Sequence, residues 1–262
     1  MTTPSEDRGN LPAAAIDAAS PAPGAGMRHR AIAVAGCRIL VDGAIRGLSE
    51  ERPRLVTVAE RETPDLVALS ISPEELETLQ QLQAETEPRI HDLEKELSPD
   101  QAVFASKLEE FGEVEFPPPC FTAVLAWAIE HKIPAVPLDL DETAYADAFG
   151  TDVTFFQYWR HDRRRRKLAA YVPRSTTAAG FVLEWDQLIA RLPGFGRLEA
   201  RRERQMADRL LHYAKLGTHA RILAVVDFER AKGVLRLLSD DASRHEPSPA
   251  ATPVPSDRVP GR

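Results

Sequence analysis

Residues 201–238 read RRERQMADRLLHYAKLGTHARILAVVDFERAKGVLRLL and decide the fold. A helix is predicted first, because large side chains recur at spacings of three and four residues: Arg202, Met206, Leu210 and Tyr213. Residues 222–226 are apolar, rich in β-branched side chains and too few for a helix, so they predict a buried strand. The strand ends at Asp227 and a second helix follows at once. Such a corner predicts a position at the carboxyl edge of an open α/β sheet, where ligands usually bind.

The preceding chain predicts the same alternation of strands and helices. Further strands are predicted at residues 31–34, 38–41, 66–71 and 133–138. Helices are predicted at residues 44–62, 121–131, 155–171 and 181–192, and residues 80–115 are polar and helical in pattern. Ser72 followed by Pro73 is a typical helix start. In the helix at 155–171, the spacing predicts one shared face for Phe155, Trp159 and Leu168.

Residues 201–238 resemble the C-terminal signature of the TraB/PrgY family. Relatives of this family include the Tiki proteases, EreA-type esterases and ChaN-like proteins. That signature has an Arg-Asp pair, then Met-Ala, and then a strand ending in Gly-x-x-His before an apolar helix. The matching residues are Arg202, Met206, Ala207, Val225, Val226, Gly233 and Leu238, with Glu203 in the place of Asp. The resemblance implies one α/β domain, with a central mostly parallel sheet flanked by helices and built from two related halves.

The family's metal site needs two histidines at the ends of equivalent strands. Ile45 and Arg230 stand at those positions, and Ser70 stands where the first half carries a glutamate. Because transition metals need imidazole, thiolate or grouped carboxylates, the resemblance implies a degenerate member without this metal or its catalysis. Asp139 matches the family's aspartate, whereas Cys120 replaces a glutamate before the helix at 121–131.

Arg202, Glu203 and Arg230, together with Asp139, are the candidate ligand-binding residues. A guanidinium in place of an imidazole favours an anion over a metal, because its donors match carboxylate or phosphate. The protein is therefore expected to bind a small anionic ligand or a protein partner in a regulatory role. The alternative for Arg202 is an internal ion pair, with Asp139 for example, that holds its helix to the sheet.

Asp42, Asp139 and Asp227 form an alternative site. If the two strand ends meet, these carboxylates could bind a divalent cation such as Mg²⁺ or Mn²⁺ and serve a metal-dependent hydrolase of the peptidase or esterase type. The other interpretation is that Asp42 and Asp227 each cap the helix that follows.

Residues 163–167, RRRRK, follow Tyr158 and Trp159 and give a third alternative. Basic residues beside aromatic ones can bind single-stranded nucleic acid and so serve a nucleic-acid-associated regulator. A run this short is more often a solvated helix face or a docking patch for a partner. Cys120 is interpreted as a buried structural thiol rather than a nucleophile.

Composition limits the class of protein. The 262 residues contain 43% hydrophobic and 28% charged residues, as in an ordinary soluble domain, and the net charge of −7 argues against general nucleic-acid binding. Residues 1–27 and 242–262 are predicted to be disordered tails around one domain at 28–241; Met27 is an alternative start. With two cysteines and no apolar run long enough to cross a membrane, a cytoplasmic location is expected.

Overall fold

The predicted strand near residue 224 lies in the middle of the sheet. The computed structural model describes residues 28–84 and 99–245, so the predicted tail at 1–27 and residues 246–262 lie outside the described part. Within it, the strands are β1 His29–Val34, β2 Cys37–Ala44, β3 Leu66–Leu69, β4 Ala135–Pro137 and β5 Arg221–Asp227.

The strand order is β1-β2-β5-β3-β4. β1 and β2 form an antiparallel hairpin, whereas β5 pairs in parallel with both β2 and β3, and β3 pairs in parallel with β4. Asp42 lies opposite Val225, and Ala44 lies opposite Asp227. Every residue of β5 after Arg221 is buried, as expected for a parallel strand covered on both faces. The expected α/β domain with a mostly parallel central sheet is confirmed.

Nine helices flank this sheet in the described residues. They are α1 Glu51–Glu62, α2 Pro73–Ala84, α3 Pro99–Leu108, α4 Pro119–Glu130, α5 Glu142–Asp152, α6 Phe155–Ala169, α7 Ala178–Ala190, α8 Pro193–Lys215 and α9 Phe228–His245.

Helices α1, α2 and α4 cover one face of the sheet. Leu55 of α1, Leu76 of α2 and Val124 of α4 are buried against Leu40 and Leu223. Because side chains alternate along a strand, Ile39, Val41 and Ile222 point to the opposite face, where they pack against α8 and α9 through Met206, Leu210, Val234 and Leu238. The neighbouring units β2–α1 and β5–α9 thus place their helices on opposite faces. A family relation between two halves of the chain stays a prediction.

A smaller core lies beyond the end of β2. Ile45 and Leu48 are fully buried there against Leu108 and Phe181. The Phe181 ring stacks on Phe104 and Phe111, with ring centroids 5.5 and 5.3 Å apart. Helices α3 and α7 are therefore attached to the carboxyl edge of the sheet, above the strands rather than against their faces.

Three predicted element boundaries are wrong. The helix predicted at 44–62 begins only at Glu51, since β2 continues through Ala44. Pro193 and Gly194 open α8 instead of separating two helices, in agreement with the preference of Pro for the first helical turn. α9 extends to His245, beyond the predicted domain end at residue 241.

The face of α6 that carries Phe155, Trp159 and Leu168 is covered only at one end. Phe155 is 83% and Trp159 is 44% exposed, whereas Leu168 packs partly against the small core.

Candidate functional site

The parallel strands β2, β3, β4 and β5 end at one edge of the sheet, the carboxyl edge. Polar side chains follow these ends: Arg46 after β2, Ser70 after β3, Asp139 after β4, and Asp227 as the last residue of β5. Ser70 is buried, and its Oγ accepts a hydrogen bond of 2.9 Å from the backbone N–H of Asp227. The structure therefore places Asp139 and Asp227 at the edge that the sequence indicates, and adds Arg46.

Arg202 binds Asp139 from helix α8. Its Nε lies 3.0 and 3.2 Å from the two carboxylate oxygens of Asp139, and its Nη1 lies 2.9 Å from Oε2 of Glu199. Burial acts to lower the pKa of Arg202, but the charges of Glu199 and Asp139 outweigh it and raise that pKa. The internal ion pair that the sequence offered as an alternative is present, and it ties α8 to the end of β4.

Arg230 is surrounded by carboxylates in the same way. It contacts Asp186 of α7 through Nη2, Glu199 through Nε at 3.1 Å, and Glu203 through Nη1 at 3.8 Å. Its side chain is only 10% exposed. Glu199 therefore bridges Arg202 and Arg230.

These contacts bear on the anion site predicted from Arg202, Glu203 and Arg230, which stays a prediction. Each guanidinium already faces carboxylates of the protein itself, so an incoming anion would meet negative charge. The Glu203 carboxyl group lies directly against the backbone of α9. A Cβ added at Gly233 would lie 2.0 Å from Oε2 of Glu203. Burial raises the pKa of Glu203, and Arg230 opposes this shift.

Asp42 lies inside the sheet and does not cap a helix. It is fully buried in β2, and Arg54 of α1 donates two hydrogen bonds to it, of 2.8 and 3.1 Å. Asp227 lies on the neighbouring strand β5, opposite Ala44. It is two residues beyond Val225, which lies opposite Asp42.

The carboxylates proposed for a divalent cation are thus engaged separately. Asp42 binds Arg54, Asp139 binds Arg202, and Asp227 binds Arg46. Among residues 28–84 and 99–245, no three His, Cys, Asp or Glu side chains are arranged to hold a metal ion. The expectation that Asp42, Asp139 and Asp227 meet around one point is therefore wrong for the described structure.

Arg46 is the arginine of this edge that sequence reasoning missed. Its Nε lies 3.3 Å from Oδ1 of Asp227, and its Nη1 lies 3.4 Å from Oε1 of Glu75. Its guanidinium carbon lies 4.9 Å from the centre of the Phe121 ring, a cation–π contact. Burial acts to lower the pKa of Arg46, but Asp227 and Glu75 outweigh it and raise that pKa. Its side chain is 32% exposed, three times as much as that of Arg230.

Arg46 opens on a cavity of about 400 Å³ beyond the end of β2. One wall is α3 and the other is the segment from Val114 to Pro118. The lining is largely apolar, and its apolar side chains include Ala102, Phe104, Ala105, Leu108, Val114, Phe116 and Pro118. Residues 99–118 carried no signal of a site in the sequence beyond a polar helical pattern.

Two further ionisable groups lie in this region, Glu229 and Cys120, and burial raises the pKa of each. Burial, and next the charge of Asp227, raise the pKa of Glu229 to about 7. In the sequence, Glu229 could have been recognised as a candidate site residue only because it lies two residues after the end of β5. The sequence alone does not show that its carboxyl group is buried. Cys120 is fully buried, and burial raises the pKa of its thiol, which agrees with a structural role.

The aromatic residues before the basic run are exposed. The guanidinium carbon of Arg163 lies 4.5 Å from the centre of the Trp159 ring, and Phe155 and Phe156 are 83% and 65% exposed. The side chains of residues 164–167 lie outside the described part of the structure.

Comparison with known proteins adds no family. No protein-family model matches this sequence, and no curated protein matches it either. Within the described ranges, every helix is too short or too polar to span a lipid bilayer.

Proposed function

We propose that this chain is a non-catalytic, TraB-like cytoplasmic protein that binds a small organic anion with an apolar body. The site is the Arg46 cavity, and the role is regulatory. The observation that carries the proposal is that Arg46, at the carboxyl end of β2, opens on an apolar cavity. Arg202 and Arg230 contact Glu199 at 2.9 and 3.1 Å, whereas Arg46 is more exposed and contacts Asp227 and Glu75 at 3.3 and 3.4 Å.

The position and size of the cavity support this proposal. Ligands of open α/β proteins bind outside the carboxyl ends of the strands. A volume of about 400 Å³ falls within the range of small-molecule pockets, which are mostly apolar with a few orienting polar groups.

The contacts of Arg46 leave capacity for an anion. Its bonds to Asp227 and Glu75, at 3.3 and 3.4 Å, are longer than ordinary charged hydrogen bonds. Among the described residues no acceptor is bonded to its Nη2. A ligand carboxylate at this nitrogen would compete with the longer of these contacts, while its apolar part displaces water from Phe104 and Leu108.

A thermal-shift screen of aromatic and aliphatic carboxylic acids tests the proposal. We expect selected acids to raise the Tm of the wild type, and their amides to have no effect because they lack the charge. Arg46→Gln should abolish the shift, as should Ala105→Trp, which fills the cavity without altering Arg46. Arg61→Gln, an exposed arginine of α1, is the matched control. Absence of any acid-specific shift, or equal shifts in Ala105→Trp, would contradict the proposal.

A second candidate function is single-stranded nucleic-acid binding through α6. The observation that favours it is the exposure of Phe155, Phe156, Tyr158 and Trp159 beside Arg163. Exposed aromatics next to arginines can stack on bases and bind phosphates. Retardation of a single-stranded RNA in a gel at moderate salt, lost in Trp159→Ala but kept in Tyr145→Ala, would support this function. Binding unchanged by Trp159→Ala would exclude it.

The metal-dependent hydrolase gains no comparable support, because Asp42, Asp139 and Asp227 each bind a different arginine.

A further inference from the structure

A groove rich in arginine lies between α8 and α9, apart from the Arg46 cavity. It has a volume of about 380 Å³. Arg197, Arg201 and Arg204 line it from α8, at spacings of four and three residues that place them on one helical face. Arg236 lines it from α9, and the other lining residues are Asp152, Ala200, Glu203 and Leu237.

Two of these arginines are held by the end of α5. Nε of Arg201 lies 3.0 Å from Oδ2 of Asp152, and Nη2 of Arg197 donates a 2.7 Å hydrogen bond to the backbone oxygen of Asp152. Asp152 is buried, so this contact fixes the position of α5 against α8. These two guanidinium groups therefore have defined positions at one end of the groove.

In the described part of the structure, the other two arginines have no such partner. Among residues 28–84 and 99–245, neither Arg204 nor Arg236 has an ion pair within 4 Å, and both side chains are exposed. The charge of Arg236 acts on the Glu203 carboxyl group at longer range, where it opposes the rise in the pKa of that group that burial causes. Glu203 itself lies against Gly233 and Arg230.

The charge of the groove follows from this arrangement. Four arginines face two carboxylates, Asp152 and Glu203, so the groove carries an excess of two positive charges. A ligand that compensates this excess must bring about two negative charges in a compact group. Phosphate does so, and arginine binds it through paired N–H donors.

We propose that this groove binds a small phosphorylated molecule, with its phosphate between Arg204 and Arg236. Arg197 and Arg201 contribute positive electrostatic potential at the other end of the groove. The site is independent of the Arg46 cavity, since it is formed by different helices and takes a different ligand class. A lipid phosphate group has the same chemistry, so the experiment includes both sources.

Calorimetric titration of the full-length protein with inorganic phosphate and with pyrophosphate tests the proposal. We expect pyrophosphate to bind more tightly than phosphate. Each of Arg204→Gln and Arg236→Gln should weaken pyrophosphate binding about tenfold, the effect of one charge-assisted contact. Because both side chains are exposed and make no ion pair with the described residues, the Tm without ligand should stay the same.

Two controls separate the groove from general charge. Arg221→Gln removes an exposed arginine at the opposite edge of the sheet and should leave binding unchanged. Arg204→Lys keeps the charge but loses the paired donors, so it should bind at an intermediate level. No heat with pyrophosphate at moderate salt, or equal affinity in Arg204→Gln and Arg236→Gln, would overturn the proposal. So would sedimentation only with vesicles that contain phosphatidic acid, without binding of pyrophosphate.

Discussion

Asp42 and Glu51 are two fully buried carboxylates on the face of the sheet that α1 covers. Arg54 binds both, with bonds of 2.8 and 3.1 Å to Asp42 and 2.8 Å to Glu51, and Arg28 adds a 2.8 Å bond to Glu51. Removing charged groups from water costs several kcal/mol per ion, and the cost is offset only when the partners are complete. Within the part of the chain that the structure describes, Arg54 is thus the cation that compensates the buried charge of Asp42.

We expect Arg54→Ala to lower the free energy of unfolding by about 3 kcal/mol or more, because it leaves Asp42 buried and unpaired. Urea denaturation monitored by circular dichroism measures the change. Arg52→Ala is the matched control on the same helix. Its ion pair with Glu115 is exposed, so its loss should cost no more than about 0.5 kcal/mol. Equal effects of the two substitutions would contradict this account.

The carboxyl group of Glu229 gives a dependence of stability on pH. Burial and the charge of Asp227 raise its pKa to about 7 in the folded protein, from an ordinary value of 4.5. Between these values the unfolded chain ionises while the folded protein keeps the proton, so the free energy of unfolding falls as pH rises. Above pH 7 both states are ionised, and the loss is complete.

Glu229→Gln copies the protonated form. We expect it to stabilise the protein by about 2 kcal/mol above neutral pH and to change little at acidic pH, because the wild type is then protonated as well. Denaturation curves across this pH range measure the effect. Glu77→Gln, on the exposed face of α2, controls for the loss of a carboxyl. If the free energy of unfolding of Glu229→Gln followed the same pH dependence as that of the wild type, Glu229 would not titrate between acidic and neutral pH.

Single residues were predictable only where the sequence named both partners. The pair of Arg202 and Asp139, offered as the alternative to a ligand site, could be named because one residue follows from the helix pattern and the other from a strand end. Arg46 and Glu229 were missed because neither belongs to a motif. Their environment depends on Glu75, Phe121 and Asp227, which are distant in sequence. The Arg46 cavity needs α3 above the sheet, and no periodicity indicates that position.

At the scale of elements, α8 and α9 pack closely at Gly233. A Cβ there would lie 2.0 to 2.5 Å from the carboxyl group of Glu203, so the glycine leaves room for that side chain. Gly233→Ala must therefore push the Glu203 carboxyl group away from Arg230, and we expect this displacement to lower the free energy of unfolding by about 1 kcal/mol.

The sign should reverse when Glu203 is shortened first. In a Glu203→Ala background, Gly233→Ala meets no carboxyl group, so it should stabilise α9 by about 1 kcal/mol through its higher helix propensity. A double-mutant cycle in urea measures the coupling. Destabilisation of the same size in both backgrounds would show that the backbone of α8, not Glu203, sets the fit.

Elements with a local signal were predicted well. β3 and β5 are short apolar runs, and Ser72 caps α2 as predicted, with its Oγ accepting a 3.1 Å hydrogen bond from the N–H of Glu75. The start of α1 was wrong because pairing of β2 with β5 keeps Asp42 to Ala44 extended. The exposure of Phe155 and Trp159 on α6 could not be predicted. Residue spacing shows which side chains share a helical face, but not whether another element covers that face.

At the scale of the whole molecule, arginines take the places where a metal would be held. Asp42, Asp139 and Asp227 each bind a guanidinium. We therefore expect Mg²⁺ and Mn²⁺ to leave the Tm unchanged, and a chelator to have no effect. Differential scanning fluorimetry measures both, with elemental analysis of the purified protein. Stoichiometric metal, or a Tm that rises with Mn²⁺ and falls with the chelator, would contradict this expectation.

The position of β5 between β2 and β3 has a consequence for synthesis. Of the strands in the described residues, β5 leaves the ribosome after the others, and it completes the centre of the sheet. Until residue 227 has left the exit tunnel, the nascent chain holds β2 and β3 with open edges and uncovered apolar faces. The sheet therefore closes only after about 200 residues of the domain have been made, and during that interval its apolar surfaces are exposed to aggregation and to chaperones.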